Sequence, residues 1–247
     1  MNDKPLRLEN VSRSFGELEV LRHLSLDVEV GEFVAIVGPS GCGKTTLLNL
    51  FSGFDRPSEG RVVCTGRVRM VYQQDGLFPW STVAENISMG LGEIKDEAER
   101  KRQLNEMISL IKLKGFEQHY PHQLSGGMRQ RVELARALSG ETDTLLLDEP
   151  FSSLDYLTRL RLRRELARML KERPRTVVLV THDIEEAAQL ADRVVVLSER
   201  PTTIRCELRL ELERPRDPTH PVVVSAVHRI LMELGLEQDT EKALVQT

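Results

Sequence analysis

The sequence predicts an α/β protein with a mostly parallel sheet, an N-terminal antiparallel β element and an inserted helical subdomain. Strand patterns fill Leu6 to Val37, helical patterns separated by Gly and Pro fill about 77–138, and strands alternating with helices return from Thr144. Such alternation is typical of a parallel sheet covered by helices. With 247 residues, 40% of them hydrophobic, the chain is expected to form a single domain, 1–247, around a sizeable core.

The first part of the predicted core covers about 1–76. The stretches LRLENV, LEVLRHLSLDVEV and FVAIVG alternate or run apolar, with turn signals at Phe15-Gly16 and Val30-Gly31. Helical periodicity then begins at Lys44, continues to Phe51 and stops at Gly53. The glycine-rich stretch in between therefore lies on a strand-to-helix turn.

The helical subdomain is predicted at about 77–138. Thr82 followed by Glu85 is a candidate capping box, Asp96 to Leu113 has the pattern of an amphipathic helix, and Ser125 is placed to begin another helix.

The core is predicted to resume at about 139–200. Its strands are TLLLDE, TVVLVTH and RVVVLS, and its helices cover Tyr156 to Glu172 and Ile184 to Ala191. Residues 201–247 are expected to form a hairpin at Thr203 to Glu213 and one helix, which is too little for another domain.

Composition limits the possible functions. A formal net charge of −4 argues against a nucleic-acid-binding protein, and the basic residues between 159 and 171 are expected to form the solvated face of an amphipathic helix. The three cysteines lack ligand spacing, so neither a zinc site nor a disulfide framework is expected. No apolar stretch approaches the roughly 20 residues that cross a bilayer, and the first residues lack the apolar core of a signal peptide. The chain is expected to stay in the cytosol.

The stretch GPSGCGKT, from Gly38 to Thr45, matches the phosphate-binding motif G-x-x-x-x-G-K-[ST]. It follows a predicted strand and precedes a predicted helix, as this motif requires. Backbone amides freed by the glycines would surround phosphates, Lys44 would reach the β and γ phosphates, and the Thr45 hydroxyl would ligate Mg²⁺. The alternative, a glycine-rich turn that binds nothing, is disfavoured by this register, so the sequence predicts a P-loop NTPase core.

Two adjacent acids, Asp148 and Glu149, follow the apolar strand that begins at Thr144. Ligands bind beyond the carboxyl ends of such strands, so these acids are expected to meet the phosphates. Successive strand side chains point to opposite faces, so the two acids can have different roles. Asp148 is predicted to hold Mg²⁺, and Glu149 to act on the attacking water as a general base.

The stretch LSGGMRQ, from Leu124 to Gln130, distinguishes one family among the many NTPases that contain a P-loop. With the P-loop, the Asp-Glu strand, the stretch SSLD from Ser152 to Asp155, and Thr181-His182, the chain resembles the ATP-binding cassette family in content and order. Ser125 can cap a helix whose first amides are left bare by glycines, which makes a second anion site without a P-loop lysine.

The resemblance implies a head-to-tail dimer, as a homodimer or with a paired cassette. Each ATP would lie between one P-loop and the partner's signature helix, and the dimer loop would cross the interface. The residues implied are Phe15, Gly38, Pro39, Ser40, Gly41, Cys42, Gly43, Lys44, Thr45 and Thr46 for the nucleotide, Ser125, Gly126, Gly127 and Met128 for the signature, and Ser153, Leu154 and Asp155 for the dimer loop.

The resemblance also assigns roles to single residues. Phe15 resembles the aromatic that stacks on adenine, although a core phenylalanine remains the alternative. Gln73 resembles the glutamine that senses Mg²⁺ and the γ phosphate, with Gln74 as the competing candidate, so the implied metal ligands are Thr45, Gln73 and Asp148. His182 follows a buried strand and resembles the histidine that contacts the γ phosphate and positions Glu149.

The segment after the glutamines places Leu77, Phe78 and Trp80 within four residues, where the family's permease docks. Ordinary packing under the helical subdomain is the alternative. The LFPW stretch and the ending SERPTTIRCELRLELERPRD most resemble the ATPase subunits of nitrate, sulfonate and taurine importers. This implies a peripheral subunit on the cytoplasmic face of the cell membrane, bound to separate permease subunits and served indirectly by a solute-binding protein. An export or lipid-trafficking ATPase remains the alternative, and a DNA- or ribosome-associated cassette is disfavoured.

Overall fold

The computed structural model of the chain describes residues 4–73, 76–152 and 154–236. The strands among these residues are β1 (Leu6–Phe15), β2 (Leu18–Val28), β3 (Phe33–Val37), β4 (Glu59–Cys64), β5 (Val68–Val71), β6 (Thr144–Asp148), β7 (Thr176–Val180), β8 (Arg193–Leu197) and β9 (Ile204–Arg209). The α-helices are α1 (Lys44–Ser52), α2 (Val83–Met89), α3 (Glu97–Leu110), α4 (Gly126–Leu138), α5 (Tyr156–Glu172), α6 (Ile184–Leu190) and α7 (Pro221–Leu234).

The chain divides into two compact units. The first unit comprises Met1–Thr65 and Thr176–Thr247, and the second comprises Gly66–Arg175. The predicted helical subdomain at about 77–138 lies wholly within the second unit, together with β5, β6 and α5.

The first unit contains an antiparallel and a mostly parallel array of strands. In the antiparallel array β1 pairs with both β2 and β4, and the β1–β2 turn contains Gly16 at a positive φ of 62°. In the other array β3 lies between β7 and β8 and pairs in parallel with both. All five residues of β3 are buried, as expected for a strand covered on both faces.

The structure corrects the predicted hairpin at Thr203 to Glu213. This stretch supplies one strand, β9, which pairs antiparallel with β8. The hairpin therefore has its first strand before Pro201, because the backbone of β9 pairs with the edge strand β8 rather than with a strand inside the predicted stretch.

In the second unit β5 and β6 form a parallel pair, and α4 packs against α2, β5 and α5. The capping box at Thr82 and Glu85 is confirmed, since each side chain bonds the other residue's backbone amide at the start of α2. The predicted bounds of α5 are also confirmed. One expectation for α5 is wrong: Arg163 belongs to the basic run but is only 2% exposed, because it lies on the same side as Leu162 and Leu166.

None of the described helices combines the length and the apolar composition needed to cross a membrane.

Candidate functional site

The P-loop connects β3 to α1 in the first unit. Gly41 and Gly43 have φ angles of 75° and 110°, which side-chain-bearing residues rarely adopt. The Lys44 ammonium donates to the carbonyl oxygens of Gly38 and Pro39 at 2.9 and 3.0 Å, and the lysine is only 6% exposed. These bonds hold the charged group inside the curve of the loop.

The N-terminus of α1 fits an anionic group. Its N-cap residue is Gly43, which has no side chain to cap the helix. Ser40 and Thr45 are exposed beside this end, and Thr46 is half-buried. A nine-residue helix that begins at a glycine without a side-chain cap presents backbone amides and the positive end of its dipole, which is the arrangement that binds phosphate.

Cys42 is a packing residue of the P-loop. Its side chain is buried, and a Cβ added to Gly38 would lie 3.1 Å from its sulfur. Burial raises the pKa of the Cys42 thiol, so the group stays protonated and uncharged at neutral pH.

His182 lies at the same edge of the first unit's sheet as the P-loop. Ile36 of β3 is in register with Val180 of β7, and the Thr181 amide donates to the Ile36 carbonyl at 3.2 Å. Gly38 and His182 each follow this pair by two residues. The His182 side chain is exposed at the carboxyl end of β7, as the sequence predicts for a residue that contacts a ligand.

Phe15 is exposed rather than part of the core, with 49% of its surface accessible. The Arg13 guanidinium carbon lies 4.2 Å from the centre of the Phe15 ring. Arg13 itself is held by two 2.8 Å bonds to the carboxylate of Asp55. The hairpin thus presents a half-covered aromatic ring, which suits stacking against a flat base.

Gln73 and Glu149 come together at the carboxyl edge of the second unit's strands. Val71 of β5 is in register with Leu147 of β6, and Gln73 and Glu149 each follow this pair by two residues. The Gln73 amide nitrogen donates to the Glu149 carboxylate at 3.2 Å. The competing candidate, Gln74, lies outside the described residues.

Glu149 has an unusual backbone conformation. Its φ is 46°, in the left-handed region that residues other than glycine seldom occupy. Ser152 helps to hold it, since both its amide and its hydroxyl donate to the Glu149 carbonyl, at 3.2 and 3.0 Å. Asp148, one residue earlier, is 5% exposed. Strained residues that their surroundings hold in place cluster at functional sites.

The predicted signature residues surround the N-terminus of α4. Ser125 is its N-cap and accepts a hydrogen bond from the Met128 amide at 3.3 Å, which confirms the predicted start of the helix. Ser125 and Gly126 are exposed, whereas Gly127 is buried against α5. A Cβ on Gly127 would lie 2.8 Å from Thr158 Cγ2, so only glycine fits there without movement.

The loop before α5 contains the predicted dimer-loop residues. Asp155 is the N-cap of α5 and accepts from the Thr158 amide at 3.1 Å. Hydrogen bonds from Thr158, its side chain first, lower the pKa of Asp155. Leu154 is 9% exposed, and Ser153 lies outside the described residues.

The predicted docking residues differ in exposure. Trp80 is 72% exposed and Phe78 38%, and their ring centres are 5.5 Å apart. Leu77 is only 7% exposed, so it packs inside the second unit. It is therefore not part of an exposed docking surface. We call the two exposed aromatics the Phe78–Trp80 surface.

Comparison with known families identifies the chain. The family profile described as ABC transporter matches residues 21–152, which is more than half of the sequence. The chain belongs to the ABC transporter family.

Named relatives resemble this cassette over most of its length. The aliphatic sulfonates import ATP-binding protein SsuB of Bacillus licheniformis is 43% identical over 222 residues, covering 87% of this chain and 86% of that protein. SsuB of Bacillus subtilis (strain 168) is 40% identical over 232 residues, covering 91% and 90%.

Solved structures agree. The dimeric structure of MJ0796, a bacterial ABC transporter cassette, has a TM-score of 0.73 at 32% identity and covers 84% of this chain and 99% of that chain. The same cassette in a dimeric post-hydrolysis state with ADP and Pi gives a TM-score of 0.72. The predicted P-loop NTPase fold is therefore confirmed, and the protein is the ATP-hydrolysing subunit of an ABC transporter.

Sequence reasoning missed residues that support the cassette's site. Arg13 lies two positions before Phe15 on the same strand face, a spacing that could have pointed to it. Asn86 is fully buried and bonds the backbone around Trp80, and Glu133 accepts from the Gly76 amide at 3.2 Å. Neither contact has a signal in the sequence, because each joins a helix to an irregular segment.

Proposed function

We propose that this subunit powers import of an aliphatic sulfonate or a related small anion, within the wider class of nitrate, sulfonate and taurine substrates. The substrate class is inferred from the similarity of this chain to two SsuB proteins over about nine-tenths of its length. The subunit would work as a dimer on the cytoplasmic face of the membrane. Separate permease subunits would carry the solute, and a solute-binding protein would deliver it.

The P-loop residues are proposed to bind the phosphates of ATP. The Lys44 ammonium and the amides at the N-terminus of α1 supply positive charge and donors. Mg²⁺ in phosphate sites prefers oxygen ligands and takes one or two carboxylates besides the phosphate oxygens. The Thr45 hydroxyl, the Gln73 amide oxygen and the Asp148 carboxylate are the proposed protein ligands.

Glu149 is proposed to accept the proton of the attacking water. Support comes from its 3.2 Å contact with Gln73 and from the left-handed backbone that fixes its direction. His182 is proposed to contact the γ phosphate and to position the water. A positioned base contributes about 10² to 10⁴ in rate, so the Glu149→Gln variant should bind ATP normally and lose turnover by at least about 100-fold.

The matched control for Glu149→Gln is Glu141→Gln, since Glu141 is 77% exposed on the same unit. It should hydrolyse ATP at the rate of the unaltered protein. Hydrolysis by Glu149→Gln within about threefold of that rate would remove Glu149 from its proposed role as a base.

The dimer is proposed to place each signature helix on the partner's nucleotide. Exposed Ser125 and Gly126 at the N-terminus of α4 support this role. In size-exclusion chromatography with ATP, Glu149→Gln should elute as a dimer, and adding Ser125→Arg should return it to the monomer position. A monomer in every condition argues against the dimer.

Transport requires a test with the whole system. The subunit, its permease and the solute-binding protein would be reconstituted in proteoliposomes, with alkanesulfonate outside and ATP inside. We expect sulfonate-dependent hydrolysis and uptake. ATPase stimulation without the binding protein, or extrusion of the solute, would instead indicate an exporter, and uptake of other anions only would correct the substrate class.

The Phe78–Trp80 surface is proposed to contact the permease. Aromatic anchors at interface hot spots each contribute about 2 kcal/mol or more. Replacing both residues with serine should leave basal ATPase within about threefold but abolish co-purification with the permease. The control is Val30→Ser, a substitution at a 74% exposed residue of the first unit. If the double variant folds and still binds the permease, docking occurs elsewhere.

A further inference from the structure

Thr202 lies next to the P-loop in the first unit, in the turn that follows β8. It is fully buried, with 0% of its surface exposed. Its amide donates to the Val20 carbonyl at 2.9 Å, and its carbonyl accepts from the Arg22 amide at 3.0 Å. These bonds place Thr202 beside Leu21 in a parallel bridge to β2. The backbone of Thr202 is therefore fixed independently of its side chain.

The Thr202 side chain reaches the P-loop. Its hydroxyl donates a hydrogen bond to the carbonyl oxygen of Cys42. The strand that holds Thr202 also touches the next residue of the loop, because a Cβ on Gly43 would lie 2.6 Å from Val20 Cγ1 and 3.0 Å from Leu21 Cδ2. Residues 42 and 43 are thus packed against β2 and bonded to Thr202.

We propose that Thr202 is a positioning residue that orients the P-loop for phosphate, an inference that rests on ATP binding by this loop. The peptide group between Cys42 and Gly43 is planar and trans, so its N–H points opposite to its carbonyl. A hydrogen bond that fixes the Cys42 carbonyl toward Thr202 therefore fixes the Gly43 N–H away from Thr202. This amide stands at the N-cap of α1, where the helix offers its donors.

The constraint matters because glycine does not fix its own backbone. Gly43 has a φ of 110°, and a glycine in the unrestrained loop would sample many other conformations. Without the Thr202 hydroxyl the Cys42 carbonyl loses a buried partner, and the orientation of the peptide plane is less restrained. Phosphate binding would then have to restore the orientation.

The test compares nucleotide dissociation constants of variants by calorimetry. Thr202→Val keeps the shape and removes the hydroxyl, so it should bind both ATP and ADP about five- to tenfold more weakly, the effect expected of one buried hydrogen bond. Thr202→Ser keeps the hydroxyl and should bind within about twofold of the unaltered protein. Thr203→Val is the matched control, because Thr203 is exposed and its hydroxyl hydrogen-bonds Ser198 and no other described residue.

Equal ATP affinity of Thr202→Val and the unaltered protein would overturn the proposal. Failure of the unaltered protein to bind ATP would instead refute nucleotide binding itself. If Thr202→Val does not fold, the proposal can still be tested by NMR on the unaltered protein. A buried, hydrogen-bonded hydroxyl proton should exchange slowly and be visible by NMR with a contact to Cys42, and its absence would also overturn the proposal.

Discussion

Replacing Asn86 with alanine is expected to loosen the segment that presents Trp80. Asn86 lies on α2 and is 0% exposed. Its Oδ1 accepts a hydrogen bond from the Phe78 amide at 2.9 Å. Its Nδ2 lies 3.2, 3.0 and 3.0 Å from the carbonyl oxygens of Phe78, Ser81 and Thr82. One side chain therefore bonds the backbone on both sides of the exposed tryptophan.

The magnitude follows from the number of bonds that alanine cannot make. An amide nitrogen has two protons, so the three carbonyls share two donors, and with the accepted bond the side chain makes the equivalent of about three hydrogen bonds. At about 1 kcal/mol each, their loss costs about 3 kcal/mol. The better helix propensity of alanine returns at most about 0.7 kcal/mol. The net loss in unfolding free energy should be about 2 to 3 kcal/mol.

Urea denaturation followed by circular dichroism measures this loss. The control is Asn105→Ala, because Asn105 is an exposed asparagine on a helix of the same unit and its replacement should change stability by less than about 0.5 kcal/mol. A loss below about 1 kcal/mol for Asn86→Ala would show that the segment is held by other contacts.

Three further predictions concern single contacts. Phe15→Ala should weaken ATP binding about tenfold by calorimetry yet leave pyrophosphate binding unchanged, because the ring is proposed to contact only the base. Gly127→Ala should lower the melting temperature, because its Cβ would lie 2.8 Å from Thr158 Cγ2; an unchanged value would mean that α5 moves freely. Hydrogen bonds, from Arg102 first, lower the pKa of Glu99 from 4.5 to about 2, and an NMR titration should show this and its partial reversal in Arg102→Ala, where the bond from Gln103 remains. Because the folded-state pKa is lowered, the contact stabilises fully above pH 4.5 and is lost as the pH falls toward 2.

Features encoded by local patterns could be predicted from the sequence. The bounds of α5 follow from an amphipathic repeat with Asp155 as its N-cap, and the start of α2 follows from the reciprocal bonds of Thr82 and Glu85. In both cases the deciding contacts lie within a few residues, so the sequence contains the whole cause.

Features decided by distant contacts could not be predicted. Leu77 and Trp80 are both apolar residues of one short segment, yet they are 7% and 72% exposed, because packing of the folded unit decides which one is covered. Thr202 likewise lies far along the chain from Cys42, and only the bridge between its turn and β2 brings the two together. The partner of β9 is a third case, since β8 offered an edge that the local pattern did not reveal.

Strand register places the proposed catalytic residues at matching positions beyond the strand ends. In the first unit the pair Ile36 and Val180 is followed two residues later by Gly38 on one strand and His182 on the other. In the second unit the pair Val71 and Leu147 is followed at the same offset by Gln73 and Glu149. A slip of one residue would turn each side chain to the opposite face. The 3.2 Å contact between Gln73 and Glu149 thus depends on the pairing of the buried residues Val71 and Leu147, so conservative changes at these two positions should lower the proposed catalytic rate before they abolish folding.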